Sequence, residues 1–83
     1  MAKRVEAYEL GNRRNVMEFL ERVRAGGLVV SVGSVDYHTI RAKNGVDLGH
    51  VTGQLQGYLI IRGDLNEGHV SGLRKLAEEF KVN

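Results

Sequence analysis

Ser34, Asp36 and His38 place the three side-chain types of a nucleophile, acid and base relay within a few residues of one another. At i, i+2 and i+4 of a strand they would face the same way, with Cα atoms about 6.6 Å apart per step. A working relay needs nucleophile and base, and then base and acid, within hydrogen-bond reach, roughly 2.6–3.2 Å. No oxyanion donors can be picked out nearby, so the grouping does not read as catalytic. His38, His50 and His69 are the remaining candidates for metal chemistry. No two of them have the i,i+4 spacing that would set two ligands on one helical face, and the chain has no cysteine, so thiolate sites are excluded. Neither the Gly-x-x-x-x-Gly-Lys phosphate cradle nor the Gly-x-Gly-x-x-Gly fingerprint is present. The residues therefore point to a chain that binds rather than catalyses, with no metal and no cofactor.

Three groupings have the chemistry of recognition. Tyr37, Thr39, Arg41, Lys43 and His50 would form one polar face of a hairpin, where an aromatic ring among cations could stack a base and hold a phosphate. The ordinary alternative is a solvated sheet face, and the second and third rings of a good stacking platform are missing from that set. Arg13 and Arg14 stand in the first turn of a helix, where the macrodipole disfavours cations and where free N–H groups suit an anion. Pairing of Arg14 with Glu18 and solvation of Arg13 are the simpler and preferred account of them. Gly49, Gly53 and Gly57 would let a neighbouring chain or element approach closely, or would serve bulges and turns.

The elements that must position these residues can be read along the chain. Residues 3–10 alternate, with Val5 and Ala7 on one side and Arg4, Glu6 and Tyr8 on the other, as a short strand would. Asn12 is a helix N-cap. Val16, Phe19, Leu20 and Val23 follow at i, i+3, i+4 and i+7, which predicts an amphipathic helix over 13–25. Arg14–Glu18 and Glu18–Arg22 are i,i+4 opposite-charge pairs on its wet side, and Gly26-Gly27 stops it. The run Leu28-Val29-Val30-Ser31-Val32 reads as a buried strand. Asn44-Gly45 is the preferred pair for a two-residue type I′ hairpin. Pairing outward from it sets Lys43 opposite Val46, Arg41 opposite Leu48 and Thr39 opposite His50, all on one face.

Residues 46–62 read as strand rather than helix, because interior glycines at 49, 53 and 57 would weaken a helix by about 1 kcal/mol each. Seventeen residues exceed a typical strand, so a break is expected near Gly53 or Gly57. Tyr58-Leu59-Ile60-Ile61 is then a strand of its own. Asp64-x-x-Glu67 has capping-box spacing, and Val70, Leu73, Leu76, Ala77 and Phe80 mark a second amphipathic helix over 67–81. Gly49-His50-Val51-Thr52-Gly53 and Gly68-His69-Val70-Ser71-Gly72 echo one another, but five residues in different surroundings read as chance rather than a repeat.

The predicted order is β-α-β-β-β-β-α. It implies an α+β fold with a mostly antiparallel sheet of four or five strands and both helices on one face. Eighty-three residues suffice for one domain, 1–83, and not for two. A core of this size is marginal, and with no disulfide to help it, self-association would compensate. The net charge of +2 is carried by the first third, where Lys3, Arg4, Arg13, Arg14, Arg22 and Arg24 face Glu6, Glu9, Glu18 and Glu21. That excess is small for a nucleic-acid partner. The apolar runs are too short to cross a bilayer and the first residues are charged, so no membrane partner and a cytoplasmic location are expected. The sequence thus points to a small protein-interaction or self-associating regulatory module, partnered by another protein or by itself. Nucleic-acid binding through the hairpin face and the helix start is the alternative.

Overall fold

The computed structural model describes residues 5–34, 36–53, 55–62 and 67–82, apart from the side chains of Glu67 and His69. Seven elements follow the expected order: β1 (Val5–Gly11), α1 (Arg13–Ala25), β2 (Val29–Ser34), β3 (Tyr37–Arg41), β4 (Asp47–Thr52), β5 (Gly57–Arg62) and α2 (Glu67–Phe80). The strands form one antiparallel sheet in the lateral order β1-β5-β4-β3-β2. The fold is α+β. No helix among the described residues is long and apolar enough to cross a membrane.

α1 begins where its cap dictates. The Asn12 side chain accepts the Asn15 N–H at 3.0 Å, satisfying one of the helix's unpaired first-turn donors. It ends at Gly26 and Gly27, whose N–H groups donate to the carbonyls of Arg22 and Arg24. Gly27 takes a φ of 98°, a region that favours glycine. Val16, Phe19, Leu20 and Val23 are all buried, as the periodicity requires. They pack with Val70, Leu73 and Ala77 of α2 and with Leu10, Ile40, Leu48, Val51, Leu59 and Ile61 of the sheet in a single core. The two helices run antiparallel. Near the start of α1, Asn15 Nδ2 donates to the carbonyls of Leu10 and Phe80 at 2.6 and 2.7 Å, tying β1, α1 and the end of α2 together. Near the end of α1, Val23 and Gly26 face Gly68 and Gly72 of α2. Arg22 pairs across the helices with Glu79 at 3.5 Å and lies over the Phe80 ring. The proposed α2 cap, Asp64, lies outside the described residues. The two echoing glycine-histidine segments fall on β4 and α2, so they share no structure.

Three expectations are corrected. β2 is not a buried strand. It forms an edge of the sheet, and Val29 and Val32 are 45% and 64% exposed. β1 pairs with β5, so the sheet grows at its other side and no described strand follows β2 in the lateral order. The hairpin turn is not a two-residue type I′ turn. That turn needs positive φ at both central residues, and Gly45 (φ 94°) has it while Asn44 does not. Instead Gly45 N–H donates to the Ala42 carbonyl and Ala42 N–H to the Val46 carbonyl, both at 2.9 Å. This gives a three-residue loop of Lys43, Asn44 and Gly45. The register then shifts: Thr39 faces His50 as expected, but Arg41 faces Asp47, and a bulge falls between Ile40 and Arg41. Leu48, which unbroken pairing would set opposite Arg41 on the polar face, is fully buried in the core. A bulge adds one residue to one strand, and here it lets Leu48 and Gly49 both lie inside.

Candidate functional site

With both helices on one side, the other side of the sheet is left uncovered by any described element. Strand alternation decides what it shows. The pairings align Ser31, Thr39, His50, Ile60 and Ala7 in one row across the five strands. Ser34, Tyr37, Thr52, Tyr58 and Glu9 form the adjacent row. Tyr37 and His50 are diagonal neighbours, and their rings stack with centroids 5.1 Å apart at 21°. Tyr58 lies beyond Thr52, two strand spacings or about 10 Å from Tyr37. Tyr37 and Tyr58 are 39% and 40% exposed. The charges sit around this centre with both signs. Arg41 is opposite Asp47, Arg62 is opposite Val5, and Glu9 accepts a hydrogen bond from the Gln56 side-chain amide.

Of the residues expected to share the hairpin face, Tyr37, Thr39, Arg41 and His50 do so. Lys43 sits in the exposed hairpin turn, its Cε beside Gly27, at the end of the sheet rather than on its face. Tyr58 and Ile60 join the face although the sequence reading left them out. They keep the even-numbered alternation of His50 and Thr52 on the far side of the turn at Gly53 (φ 120°), so the signal that places them on this face is present in the sequence.

Arg13 and Arg14 are on α1, in the layer behind the sheet, and do not meet Tyr37 or Arg41. Arg14 lines a cleft of about 420 Å³ between the start of α1 and the end of α2. Glu18 and Glu79 line the same cleft, which weakens its attraction for an anion. The three glycines serve the chain's own packing. A Cβ on Gly49 would meet the Ile60 carbonyl oxygen, one on Gly53 the Gln56 carbonyl oxygen, and one on Gly57 the Val16 side chain of α1.

Ser34 Oγ donates directly to Asp36 Oδ1 at 3.0 Å, so the hydroxyl is bonded to the acid rather than to a base. His38 is buried on the helix side of β3, and His50 lies on the uncovered side. Among the described residues no three histidine, aspartate or glutamate side chains converge to hold a metal. On β1, Glu6 and Tyr8 face the helices. Arg74 of α2 donates to Glu6 through Nε at 2.8 Å and Nη2 at 2.6 Å, and the Tyr8 hydroxyl donates to it at 3.1 Å. The Tyr8 pKa is raised by burial and by this bond, which requires the protonated phenol.

Burial lowers the His38 pKa, with Arg13 and Arg24 adding to the effect and Asp36 opposing it. A depressed folded-state pKa means the unfolded chain takes up a proton first. The stabilisation is complete above the ordinary histidine value of 6.5 and is lost as pH falls below it. Thermal unfolding followed from about pH 7.5 down to about pH 5 should show a falling midpoint, and His38→Gln should flatten that slope. Equal slopes in the two proteins would remove His38 as the cause.

No protein-family model matches this sequence, and no curated protein and no solved structure shows significant similarity to it.

Proposed function

We propose that this chain is a non-catalytic protein-interaction module that engages its partner through the uncovered face of its sheet. One observation carries the reading. Tyr37, His50, Tyr58 and Ile60 occupy the middle of a face that no described element covers, with mixed charges around them. Aromatic anchors inside a polar rim are the anatomy of a protein interface. The proposed setting is the cytoplasm, where a chain without cysteine suits the reducing conditions.

Tyr58→Ala tests this. Truncating an interface anchor costs 2 kcal/mol or more, on the order of thirtyfold in affinity. A substitution at an exposed strand position leaves stability within about 0.5 kcal/mol. The immobilised chain should retain a protein from extracts of its native cells, and Tyr58→Ala should lose that partner while melting at the same temperature. Failure to retain any protein, together with a strictly monomeric mass in light scattering, would remove the reading.

A second reading has its own support. Three rings and Arg41 on one face offer stacking and phosphate contact to a single-stranded nucleic acid. Arg13 and Arg14 lie on the other layer, so they do not extend that surface. Fluorescence anisotropy with a labelled single-stranded oligonucleotide decides between the two. Affinity that falls steeply with salt and is lost in Tyr58→Ala supports this second reading.

A further inference from the structure

The two edges of the sheet are built differently. β1 carries Glu6 and Glu9, bulges between Glu9 and Gly11, and has the Glu9 carbonyl occupied by the Val82 N–H at 2.9 Å. Charges, bulges and covering segments are the devices by which sheets prevent edge-to-edge pairing. β2 also shifts register, between Val32 and Ser34, but it has none of the charges. Its six residues, Val29-Val30-Ser31-Val32-Gly33-Ser34, are uncharged and lack proline. Val29 lies on the uncovered side of the sheet and Val32 on the helix side, yet they are 45% and 64% exposed. A strand with apolar side chains open on both faces is covered fully only by another strand that continues both layers.

The geometry points to a second copy of this chain as that strand, joined through antiparallel pairing of β2 with β2 into a ten-stranded sheet. The charges around the strand support a copy of itself. Asp36 follows the Ser34 end. Arg41 lies beside Val29 at the opposite end, and Lys43 lies against Gly27 there. Asp47 stands opposite Arg41, and Arg13 lies near His38 beside the Asp36 end, so neither end is of one sign. Antiparallel twofold pairing still brings Asp36 of each copy toward Arg41 and Lys43 of the other, whereas parallel pairing would set the two Arg41–Lys43 ends together. Pairing about Ser31 also sets Val30 of one copy opposite Val32 of the other on the helix side, so the most exposed valine gains an apolar neighbour. One strand per copy buries less than a standard interface, so the dimer is weak and depends on concentration.

This surface is distinct from the uncovered face, and the two can fail separately. Light scattering over a concentration series should show the wild-type mass rising from monomer to dimer. Val32→Lys should weaken the dimer by at least about tenfold, since lysine on an edge strand blocks pairing. Val32 is exposed, so the variant should keep its circular dichroism spectrum. Should it fail to fold, Val29→Lys makes the same test from the other face. Tyr58→Ala should leave the dimer unchanged. A wild-type chain that stays monomeric at millimolar concentration overturns the inference. So does a dimer that survives both lysine variants. A dimer lost in Tyr58→Ala and kept in Val32→Lys also overturns it, and in that case favours self-association through the uncovered face.

Discussion

Gly49→Ala is expected to lower the unfolding free energy by about 3 kcal/mol, at the upper end for overpacking a core position. The added Cβ would fall on the Ile60 carbonyl oxygen, with Ile61 Cα at 3.1 Å and the Ile60 carbonyl carbon at 3.2 Å. All three are backbone atoms, so no side chain can swing aside. Relief requires β4 to move away from β5, and that pairing aligns His50 with Ile60 and Thr52 with Tyr58. The same substitution should therefore disturb the face proposed for binding. A domain of this length holds roughly 4–12 kcal/mol in total, so the loss is a large share of it. Urea unfolding should show a lower midpoint with an unchanged slope. A midpoint within about 0.5 kcal/mol of wild type would mean the strands part easily there.

That glycine also shows where the sequence ran out. Its spacing with Gly53 and Gly57 fitted close approach and bulges or turns equally well, and did not say what would approach. The answer depends on which strand neighbours which. Features set by local chemistry were legible. Asn12 caps α1, the i, i+3, i+4, i+7 apolar residues bury it, and Gly26-Gly27 ends it, all within one short segment. The element order and the break at Gly53 were legible for the same reason. Features set by lateral order were not. The valines of β2 suit a central strand as well as an edge, and only the insertion of β1 beside β5 leaves them outside. Leu48 obeys strict alternation in the sequence and breaks it in the fold, because the bulge belongs to the pairing of two strands rather than to either alone. The site follows the same division. Tyr37, Thr39, Arg41 and His50 share a face because the hairpin is local. Tyr58 joins them by keeping the alternation of His50 and Thr52 across the turn, but its place beside them depends on β5 folding back against β4. Arg13 and Arg14 fall on the other layer because a helix start carries no mark of the side of the sheet on which it will lie.

Phe19→Ala is expected to have the largest effect of all, about 3–5 kcal/mol. Phe19 is fully buried and meets Phe80 edge-to-face, with centroids 5.7 Å apart at 72°. Its loss opens a void between α1 and the last turn of α2, at the place where Asn15 binds the Phe80 carbonyl and Arg22 covers the Phe80 ring. The melting midpoint, read by circular dichroism, should fall by about 15 °C or more. Tyr58→Ala, on the other side of the same sheet, should leave that midpoint near its wild-type value. The contrast matters more than either number. If the helices supply most of the burial, residues on the uncovered face are free to be chosen for a partner rather than for the fold. Should Phe19→Ala melt like the wild type while Tyr58→Ala collapses, the uncovered face would be holding the fold together. A surface that the fold itself requires has much less freedom to serve recognition.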